Sequence, residues 1–296
     1  MNVVVAGEPR PVRIELPERG GTMSALEFGP SGRPVDILFT HANGFNARTY
    51  ASILAPLAGE FRILAVDQRG HGRSGLPPQI EGRNTWYNLR DDLLAFMAAL
   101  DLKNLVMAGH SMGGTASILA SAEAPQRVRR LVMFDPVVLT PEAIAANKGG
   151  EPIESPLVQG ALRRRSVFPS RAAVIEAYTG RGAFKSWTPA MLADYVADGF
   201  RDRPDGEVEL TCAPEWEASN FTSQAHDTWD AFARSTAPIA IFRAEHGSTC
   251  RVDGHEAELT ASGRITLETV PGTSHFLPME RPDVVAAALR AAVLKA

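Results

Sequence analysis

The sequence has few cysteines and no leader-like N-terminus. It contains only two cysteines among 296 residues, Cys212 and Cys250. These are too few and too far apart for a disulfide scaffold or a thiolate-rich zinc site, so we predict two free thiols. Residues 1–10 lack a charged start followed by a long apolar core, so we predict neither a signal peptide nor a membrane span. A cytoplasmic location is the default expectation.

The chain also lacks an excess of positive charge. Its formal net charge is −4 and its isoelectric point is about 6.0. Because it has no long basic stripe either, the charge argues against a dedicated nucleic-acid-binding protein. No constellation of metal ligands is visible, so we expect neither a metal nor another cofactor. We expect no nucleic-acid or membrane partner, and a homodimer stays open.

What is present is the composition of an ordinary soluble protein. Hydrophobic residues make up 45% of the chain and charged residues 22%. With 296 residues, the chain is long enough for one large α/β domain with an insertion, or for two domains. The sequence has no visible internal repeat or low-complexity segment, so its organisation must be inferred from motifs and from hydrophobic patterning.

Residues 104–114 place a serine between glycines at the end of an apolar run. The run at residues 105–108 predicts a buried strand, and it leads into Gly109-His110-Ser111-Met112-Gly113-Gly114. A strand that turns this sharply into a helix brings neighbouring segments close enough to exclude a β-carbon, which explains Gly109 and Gly113. The turn would place Ser111 Oγ above the sheet, at a helix start that favours developing negative charge. The alternative is an ordinary glycine-rich turn in which Ser111 caps the helix.

Three motifs together resemble the α/β-hydrolase superfamily, in its serine-nucleophile members with a helical cap. They are the G-x-S-x-G elbow around Ser111, the D-x-R-G-H-G-x-S string at residues 67–74, and the G-x-x-H-F segment at residues 272–276. The resemblance implies an α/β fold with a mostly parallel central sheet flanked by helices and an inserted helical cap. We interpret Asp67 and His71 of the second motif as structural residues.

Hydrophobic patterning divides the chain in the way that this architecture requires. Apolar or β-compatible runs predict strands at residues 12–16, 22–28, 35–40, 61–66, 105–108, 130–134, 239–242 and 264–270, the first two as an edge hairpin. Helices are predicted at residues 47–58, 84–100 and 283–294. We predict a core of residues 1–138 and 236–296.

Between residues 139 and 235 the strand-like runs vanish, and we predict a helical cap there. The better helix candidates are residues 172–178, 191–200 and 227–234. Trp187 and Trp216 are candidates for lining an apolar substrate pocket, with packing inside the cap as the alternative.

The resemblance and the residue order assign the general base and leave two candidates for the acid. His275 follows the last predicted strand in the superfamily's terminal histidine motif, so it is the preferred base for Ser111. Most members carry the acid, usually an aspartate, after the penultimate strand; this chain has no aspartate there, His246 stands in the aligned place, and Glu245 is its neighbour. A minority, including some haloalkane dehalogenases and lactone hydrolases, carry it after the strand that follows the elbow helix, where Asp135 precedes Pro136. We favour Asp135, with Glu245 as the alternative acid.

The loop His41-Ala42-Asn43-Gly44 follows the strand at residues 35–40. In the superfamily this loop donates one backbone N–H to an oxyanion hole, and the residue after the nucleophile donates the other. The resemblance therefore implies Asn43 and Met112 as the two donors. Ala42 stands where glycine is usual, and the alternative for the loop is a simple turn before a helix.

These residues predict a serine hydrolase that cleaves a carboxylic ester or lactone through an acyl-enzyme. A serine at the elbow disfavours haloalkane dehalogenase and epoxide hydrolase chemistry, which use a carboxylate nucleophile. The expected partner is a small to medium apolar ester or lactone substrate. Carbon–carbon bond hydrolysis, amide hydrolysis and cofactor-free perhydrolysis use the same triad and stay open. From a different class, a ligand-binding receptor could retain this fold.

Overall fold

Eleven strands form two sheets in the computed structural model, which describes residues 8–148 and 155–295. In chain order the strands are β1 (Arg10–Leu16), β2 (Gly21–Phe28), β3 (Ile37–Thr40), β4 (Ile63–Asp67), β5 (Leu105–His110), β6 (Val128–Phe134), β7 (Val167–Phe168), β8 (Phe200–Asp202), β9 (Val208–Leu210), β10 (Ile239–Ala244) and β11 (Ile265–Val270).

The larger sheet has the strand order β1-β2-β4-β3-β5-β6-β10-β11. The β1–β2 and β2–β4 pairs are antiparallel, and the other five pairs are parallel. This confirms the predicted α/β class with a mostly parallel sheet and an antiparallel hairpin at one edge. The carboxyl ends of β3 to β6, β10 and β11 lie at one edge of the sheet, so the loops that follow them meet there.

Helices cover both faces of this sheet. In chain order, the α-helices of the described residues are α1 (Ala51–Leu54), α2 (Tyr87–Ala99), α3 (Met112–Glu123), α4 (Pro141–Lys148), α5 (Pro156–Leu162), α6 (Arg171–Tyr178), α7 (Pro189–Gly199), α8 (Pro214–Thr222), α9 (Thr228–Arg234), α10 (Glu256–Thr260), α11 (Leu277–Glu280) and α12 (Pro282–Leu294). Side chains of α2 and α3 join one buried apolar cluster, and side chains of α1 and α12 join another.

The apolar run before the elbow is unbroken because β5 is covered on both faces. Leu105 and Met107 belong to the cluster that contains α2 and α3, whereas Val106 and Ala108 belong to the cluster that contains α1 and α12. Successive side chains of a strand point to opposite faces. A strand between two helical layers therefore has no face that polar residues could occupy.

The prediction of one continuous helix over residues 47–58 was wrong. A 3-10 turn at Ala47–Tyr50 precedes the four-residue α1, and a second 3-10 turn follows at Ala55–Leu57. Pro56 lies in the second turn and cannot donate the N–H that a continuing α-helix needs. The first turn is fixed by a capping box, in which the Asn46 side chain accepts from Thr49 N–H.

The segment of residues 139–235, which we call the insert, leaves the sheet after β6 and returns at β10. Helices α6, α7 and α9 confirm the predicted helical stretches, but the expected absence of strands was wrong. Strands β7, β9 and β8 form a small antiparallel sheet. Each strand has only two or three residues, too few for an alternating apolar pattern to be visible in the sequence. Phe168, Phe200 and Leu210 of these strands are buried. Residues 1–7 and 296 of the predicted core and residues 149–154 of the predicted cap lie outside the described residues.

Candidate active site

Ser111 occupies a strained turn between β5 and α3. Its backbone has φ 53° and ψ −123°, a region that non-glycine residues rarely adopt. A β-carbon on Gly113 would lie 2.5 Å from the carbonyl oxygens of Thr40 and His41, and one on Gly109 would lie 2.2 Å from Thr40 Oγ1. The prediction that close approach of neighbouring chain requires both glycines is confirmed.

The structure brings together the three residues that were predicted as nucleophile, base and acid. His275 Nε2 lies 3.0 Å from Ser111 Oγ, and His275 Nδ1 lies 2.6 Å from Asp135 Oδ2. Asp135 follows β6 and is fully buried, while the His275 side chain is 24% exposed. The hydroxyl, imidazole and carboxylate therefore form one continuous chain of hydrogen bonds, as proton transfer from a serine nucleophile requires.

Hydrogen-bond donors surround the Asp135 carboxylate. Oδ1 accepts from Ala244 N–H at 2.8 Å and from Ser248 Oγ at 2.5 Å, and Oδ2 accepts from Thr249 N–H at 3.0 Å. Burial alone would raise the pKa of Asp135, but the hydrogen bond and charge of His275, with these other donors, hold that pKa below its ordinary value. Asp135 is thus a carboxylate that accepts from His275 Nδ1–H, which leaves Nε2 free to accept from Ser111.

Glu245, the alternative acid, lies elsewhere. Its carboxylate accepts from Gly272 N–H at 2.8 Å and lies 3.3 Å from His246 Nε2. The Glu245 side chain is 45% exposed, and within the described residues no hydrogen bond joins it to His275. The geometry therefore favours Asp135 over Glu245 as the partner of the base.

The sequence analysis missed Ser248 and Thr249. Both belong to the loop after β10, and besides its backbone contact Thr249 Oγ1 donates to the Asp135 carbonyl at 2.8 Å. Thr249 Oγ1 also lies 3.4 Å from His275 Nδ1. The sequence did contain a sign of them: two consecutive hydroxyl residues follow a predicted strand, and loops after parallel strands meet at the edge where the acid was predicted.

Asn43 and Met112, the predicted oxyanion donors, line the same cavity as Ser111 and His275. Across the described residues, neither backbone N–H donates to another protein atom. The Asn43 side chain is clamped to α8, because its Nδ2 donates to Glu217 O at 3.0 Å and its Oδ1 accepts from Asn220 Nδ2 at 2.8 Å. Two N–H groups that lack protein acceptors, next to a nucleophile, suit a developing oxyanion.

A buried hydrogen-bond chain joins the oxyanion loop to the loop of His275. Ala42 N–H donates to Tyr50 Oη at 3.2 Å, Tyr50 Oη–H donates to His110 Nδ1 at 2.7 Å, and His110 Nε2–H donates to His275 O at 2.7 Å. Burial, with the neighbouring charge of His275, lowers the pKa of His110 to about 3. His110 is therefore neutral with its one proton on Nε2, since a carbonyl can only accept.

The D-x-R-G-H-G-x-S string supports the loops beneath the site. Asp67 Oδ1 accepts from Ala47 N–H at 2.8 Å and Oδ2 accepts from Arg73 N–H at 2.9 Å. His71 Nε2 accepts from Gly44 N–H at 3.1 Å, next to Asn43. Burial raises the pKa of Asp67 to about 7 and lowers that of His71 well below its ordinary value. These contacts agree with the structural interpretation of Asp67 and His71.

A cavity of about 330 Å³ opens onto Ser111 and His275. Its aromatic lining comes from Phe45, Trp86, Phe221 and Phe276. The suggestion that Trp187 and Trp216 line the pocket was wrong, since neither belongs to the lining.

Both of those tryptophans pack inside the protein. Trp216 is fully buried and donates from Nε1 to Arg69 O at 2.9 Å. Trp187 meets Phe45 edge to face, with the ring centroids 5.2 Å apart, and so lies behind the lining. The sequence could not distinguish these two tryptophans from the rings that line the cavity, because tertiary packing decides which ring reaches it.

Neither a metal cluster nor a membrane-crossing helix is found within residues 8–148 and 155–295. No group of three or more His, Cys, Asp or Glu side chains in these ranges is arranged to hold a metal ion. No helix there combines the length and apolarity needed to cross a bilayer. The expectations of no cofactor and of a cytoplasmic location stay predictions.

A model of the alpha/beta hydrolase family matches residues 37–288, which include Ser111, Asp135 and His275. The chain belongs to the α/β-hydrolase family. This membership confirms the superfamily resemblance that the three sequence motifs indicated. The eight-stranded sheet, the helices on its two faces and the strand-to-helix elbow are thus the architecture of an α/β-hydrolase.

Two known proteins are similar to the chain over most of its length. The 2-(acetamidomethylene)succinate hydrolase of Mesorhizobium japonicum is 26% identical over 255 residues, which cover 86% of each chain. The dihydrolipoyllysine-residue acetyltransferase component of the acetoin cleaving system of Pseudomonas putida is 34% identical over 278 residues. That match covers 92% of this chain but only 63% of the Pseudomonas protein.

A solved structure has the same fold. The crystal structure of E-2-(acetamidomethylene)succinate hydrolase has a TM-score of 0.77 and 23% sequence identity to this chain, covering 96% of it and 99% of that chain. The family match, with the hydrolase relative from Mesorhizobium, shows that this chain is a hydrolase.

Proposed function

We propose that this α/β-hydrolase cleaves a carboxylic ester or lactone through an acyl-enzyme formed on Ser111. The observation that carries the proposal is the hydrogen-bonded chain from Ser111 Oγ through His275 to the ionised Asp135. A serine becomes a nucleophile when a base of fixed tautomer can take its proton. The family match supports hydrolysis in general, and the site geometry supports acyl transfer in particular.

The proposed reaction has two stages, acylation of Ser111 and hydrolysis of the acyl-enzyme. His275 Nε2 takes the Ser111 proton as Oγ bonds to the carbonyl carbon, and the N–H groups of Asn43 and Met112 hold the oxyanion. Collapse of this intermediate breaks the bond to the alcohol, which receives the proton from His275. A water molecule then attacks the acyl carbon while His275 Nε2 takes its proton; the bond from the acyl carbon to Oγ breaks, and His275 returns the proton to Ser111 Oγ as the carboxylic acid leaves.

We propose further that the insert acts as the cap of this active site. Ser155, Leu157, Ala183, Glu217, Phe221 and Gln224 of the insert contribute to the cavity lining, opposite residues of the core. A cavity of about 330 Å³ is near the lower end of ligand pockets, which span roughly 300–1,000 Å³. A small substrate, held between core and insert, is therefore proposed.

Amide hydrolysis is the second candidate, favoured by one of the relatives. The Mesorhizobium protein is named as the hydrolase of a succinate that carries an acetamido group. The same three residues can cleave an amide, provided that His275 protonates the departing nitrogen. The nature of the leaving group, and not the nucleophile, separates the two candidates.

A fluorophosphonate probe followed by a substrate panel tests the proposal. We expect one covalent adduct, located on Ser111 by peptide mass spectrometry, and none on the Ser111→Ala variant. Absence of labelling on folded protein would overturn the serine-nucleophile mechanism. Matched ester, lactone and amide substrates are then compared by kcat/KM. Turnover of amides alone would replace the ester proposal by the second candidate, and labelling without any turnover would favour the ligand-binding receptor.

A further inference from the structure

Among the described residues, two side chains with full formal charges line the cavity beside Ser111, Glu217 and Arg251. Glu217 lies in α8 of the insert, and Arg251 lies in the loop that follows β10. Because the rest of the lining is dominated by apolar and aromatic side chains, charges at its wall decide which substrates are attracted or repelled. Whether each charge is already compensated within the protein therefore matters.

The charge of Glu217 is compensated inside the protein. Its carboxylate forms an ion pair with Arg164, and Arg164 Nη2 also donates to Tyr195 Oη at 2.8 Å. The Glu217 side chain is only 11% exposed, so this pair is shielded from solvent more than a surface pair would be. Glu217 thus adds little net negative charge to the cavity.

The charge of Arg251 is not compensated by any carboxylate within the described residues. The acids that follow it in sequence, Asp253 and Glu256, pair with Arg243 at 3.4 and 3.5 Å. Arg251 itself is exposed and lines the cavity. Since the second charged lining residue is neutralised by Arg164, the described wall has a net positive charge next to the nucleophile.

The backbone of Arg251 is fixed to the catalytic edge of the sheet. Arg251 N–H donates to Val138 O at 2.8 Å, and Val138 N–H donates to Thr249 O at 3.1 Å. Thr249, two residues before Arg251, binds the Asp135 carboxylate. The cation is therefore attached to the same loop that orients the acid, while its long side chain keeps the freedom to meet a ligand.

We propose that Arg251 forms an anion-binding subsite, and that the substrates of this enzyme carry a free carboxylate in addition to the bond that is cleaved. A guanidinium presents two parallel N–H donors that match a carboxylate, which makes arginine suited to this recognition. The proposal rests on the proposed function for its catalytic meaning, but the binding of a dicarboxylate to the cavity can be tested separately.

The structure also sets the size of the expected effect. Because Arg251 is exposed, water and salt screen its attraction for a carboxylate, so the pair contributes less than a buried one. We expect a loss of about tenfold in the preference for a charged substrate when the guanidinium is removed. The same screening predicts that added NaCl weakens this preference.

The first experiment compares p-nitrophenyl hydrogen adipate with p-nitrophenyl hexanoate, which has the same acyl length and no carboxylate. The wild type should have the higher kcat/KM for the adipate ester, and in Arg251→Gln the ratio of the two values should fall about tenfold. Arg163→Gln is the matched control, since Arg163 is an exposed arginine outside the cavity lining, and its ratio should stay within about twofold of the wild type. An unchanged ratio in Arg251→Gln, or an equal fall in Arg163→Gln, would overturn the subsite.

The second experiment separates the subsite from the catalytic mechanism. Binding of free adipate to Ser111→Ala is measured by calorimetry, with Arg251→Gln or Arg163→Gln added to that variant. Adipate should bind about tenfold more weakly only when Arg251 is replaced. If no ester is cleaved but this dependence is observed, the proposed function fails and the subsite stands. If esters are cleaved and adipate binding does not depend on Arg251, the subsite fails alone.

Discussion

Replacing Asp135 by asparagine tests which carboxylate serves His275. The buried Asp135 carboxylate faces four close donors: Ala244 N–H and Ser248 Oγ–H at Oδ1, and Thr249 N–H and His275 Nδ1 at Oδ2. An asparagine keeps the shape of the side chain but offers one accepting oxygen and one NH₂ group. Whichever way it is oriented, the NH₂ group meets two donors.

Both orientations of the asparagine harm the site. If the NH₂ group faces His275, Nδ1 must accept, the imidazole proton moves to Nε2, and the base can no longer take the Ser111 proton. If it faces Ala244 and Ser248 instead, the Ser248 hydroxyl can turn and accept from the NH₂ group, but the buried Ala244 N–H loses its acceptor, at a cost of about 1–3 kcal/mol. We expect kcat to fall by about 10³–10⁴, the loss seen when the triad aspartate of a serine protease is made neutral. That loss corresponds to about 4–5 kcal/mol in the activation free energy.

The assay is the steady-state hydrolysis of a chromogenic ester, with the rate of Ser111 labelling by a fluorophosphonate as a second measure. Glu245→Gln is the control, because the half-exposed Glu245 contacts Gly272 and His246 and not the base. We expect its kcat to remain within about twofold of the wild type, as for most surface substitutions. The assignment of the acid is wrong if Glu245→Gln loses activity by orders of magnitude while Asp135→Asn, folded as judged by circular dichroism, retains it.

Three further perturbations test the elements around the triad. Tyr50→Phe leaves His110 Nδ1 without its donor. We expect about a tenfold lower kcat, little change in KM and a loss of about 1–3 kcal/mol in stability; unchanged kinetics would show that the hydrogen bonds from Ala42 through Tyr50 and His110 to His275 do not position the site. Gly113→Ala forces a β-carbon against backbone oxygens at 2.5 Å, so urea unfolding should record a loss of about 1–3 kcal/mol or more, and full stability would contradict the close approach. Burial lowers the folded-state pKa of His41 to about 4 and those of His110 and His226 to about 3. Because these three histidines bind more protons in the unfolded chain below pH 6.5, each should lower stability by about 2 kcal/mol at pH 5 relative to its value above that pH. The raised pKa of Asp67 acts in the opposite sense but is a single group, so stability should still fall as the pH drops, and a flat profile from pH 7 to 5 would refute the reasoning.

The parts of the site that lie at strand ends could be predicted from sequence. A buried strand between two helical layers leaves an unbroken apolar run, and the residue after that run must lie at the carboxyl edge of the sheet. Ser111 and Asp135 each follow such a run, whereas His275 follows the edge strand β11, whose sequence is not uniformly apolar, and was placed by its motif. The structure brings the three residues together. The glycines of the elbow were also predictable, because one tight turn brings neighbouring chain too close for a β-carbon.

The lining of the cavity could not be predicted in the same way. Trp86 precedes α2, whereas Phe221 lies in α8 of the insert, and only tertiary packing brings both to one wall. Trp187 and Trp216 are tryptophans like Trp86 and lie in the insert like Phe221, yet they pack away from the cavity. Hydrophobic patterning identifies a side chain that is buried, but it does not say against which neighbour.

The choice between the two carboxylates depends on how far β10 runs. The apolar run ends at Phe242, and from sequence Glu245 would be a loop residue free to approach His275. In the structure β10 continues to Ala244 alongside β11, while its pairing with β6 stops at Phe242. Asp135 is thus the first residue beyond β6 and receives Ala244 N–H at 2.8 Å, whereas Glu245 emerges on the β11 side and accepts from Gly272 N–H. The two additional strand residues are held by ladder hydrogen bonds to a partner distant in sequence, so the apolar pattern alone could not place the acid.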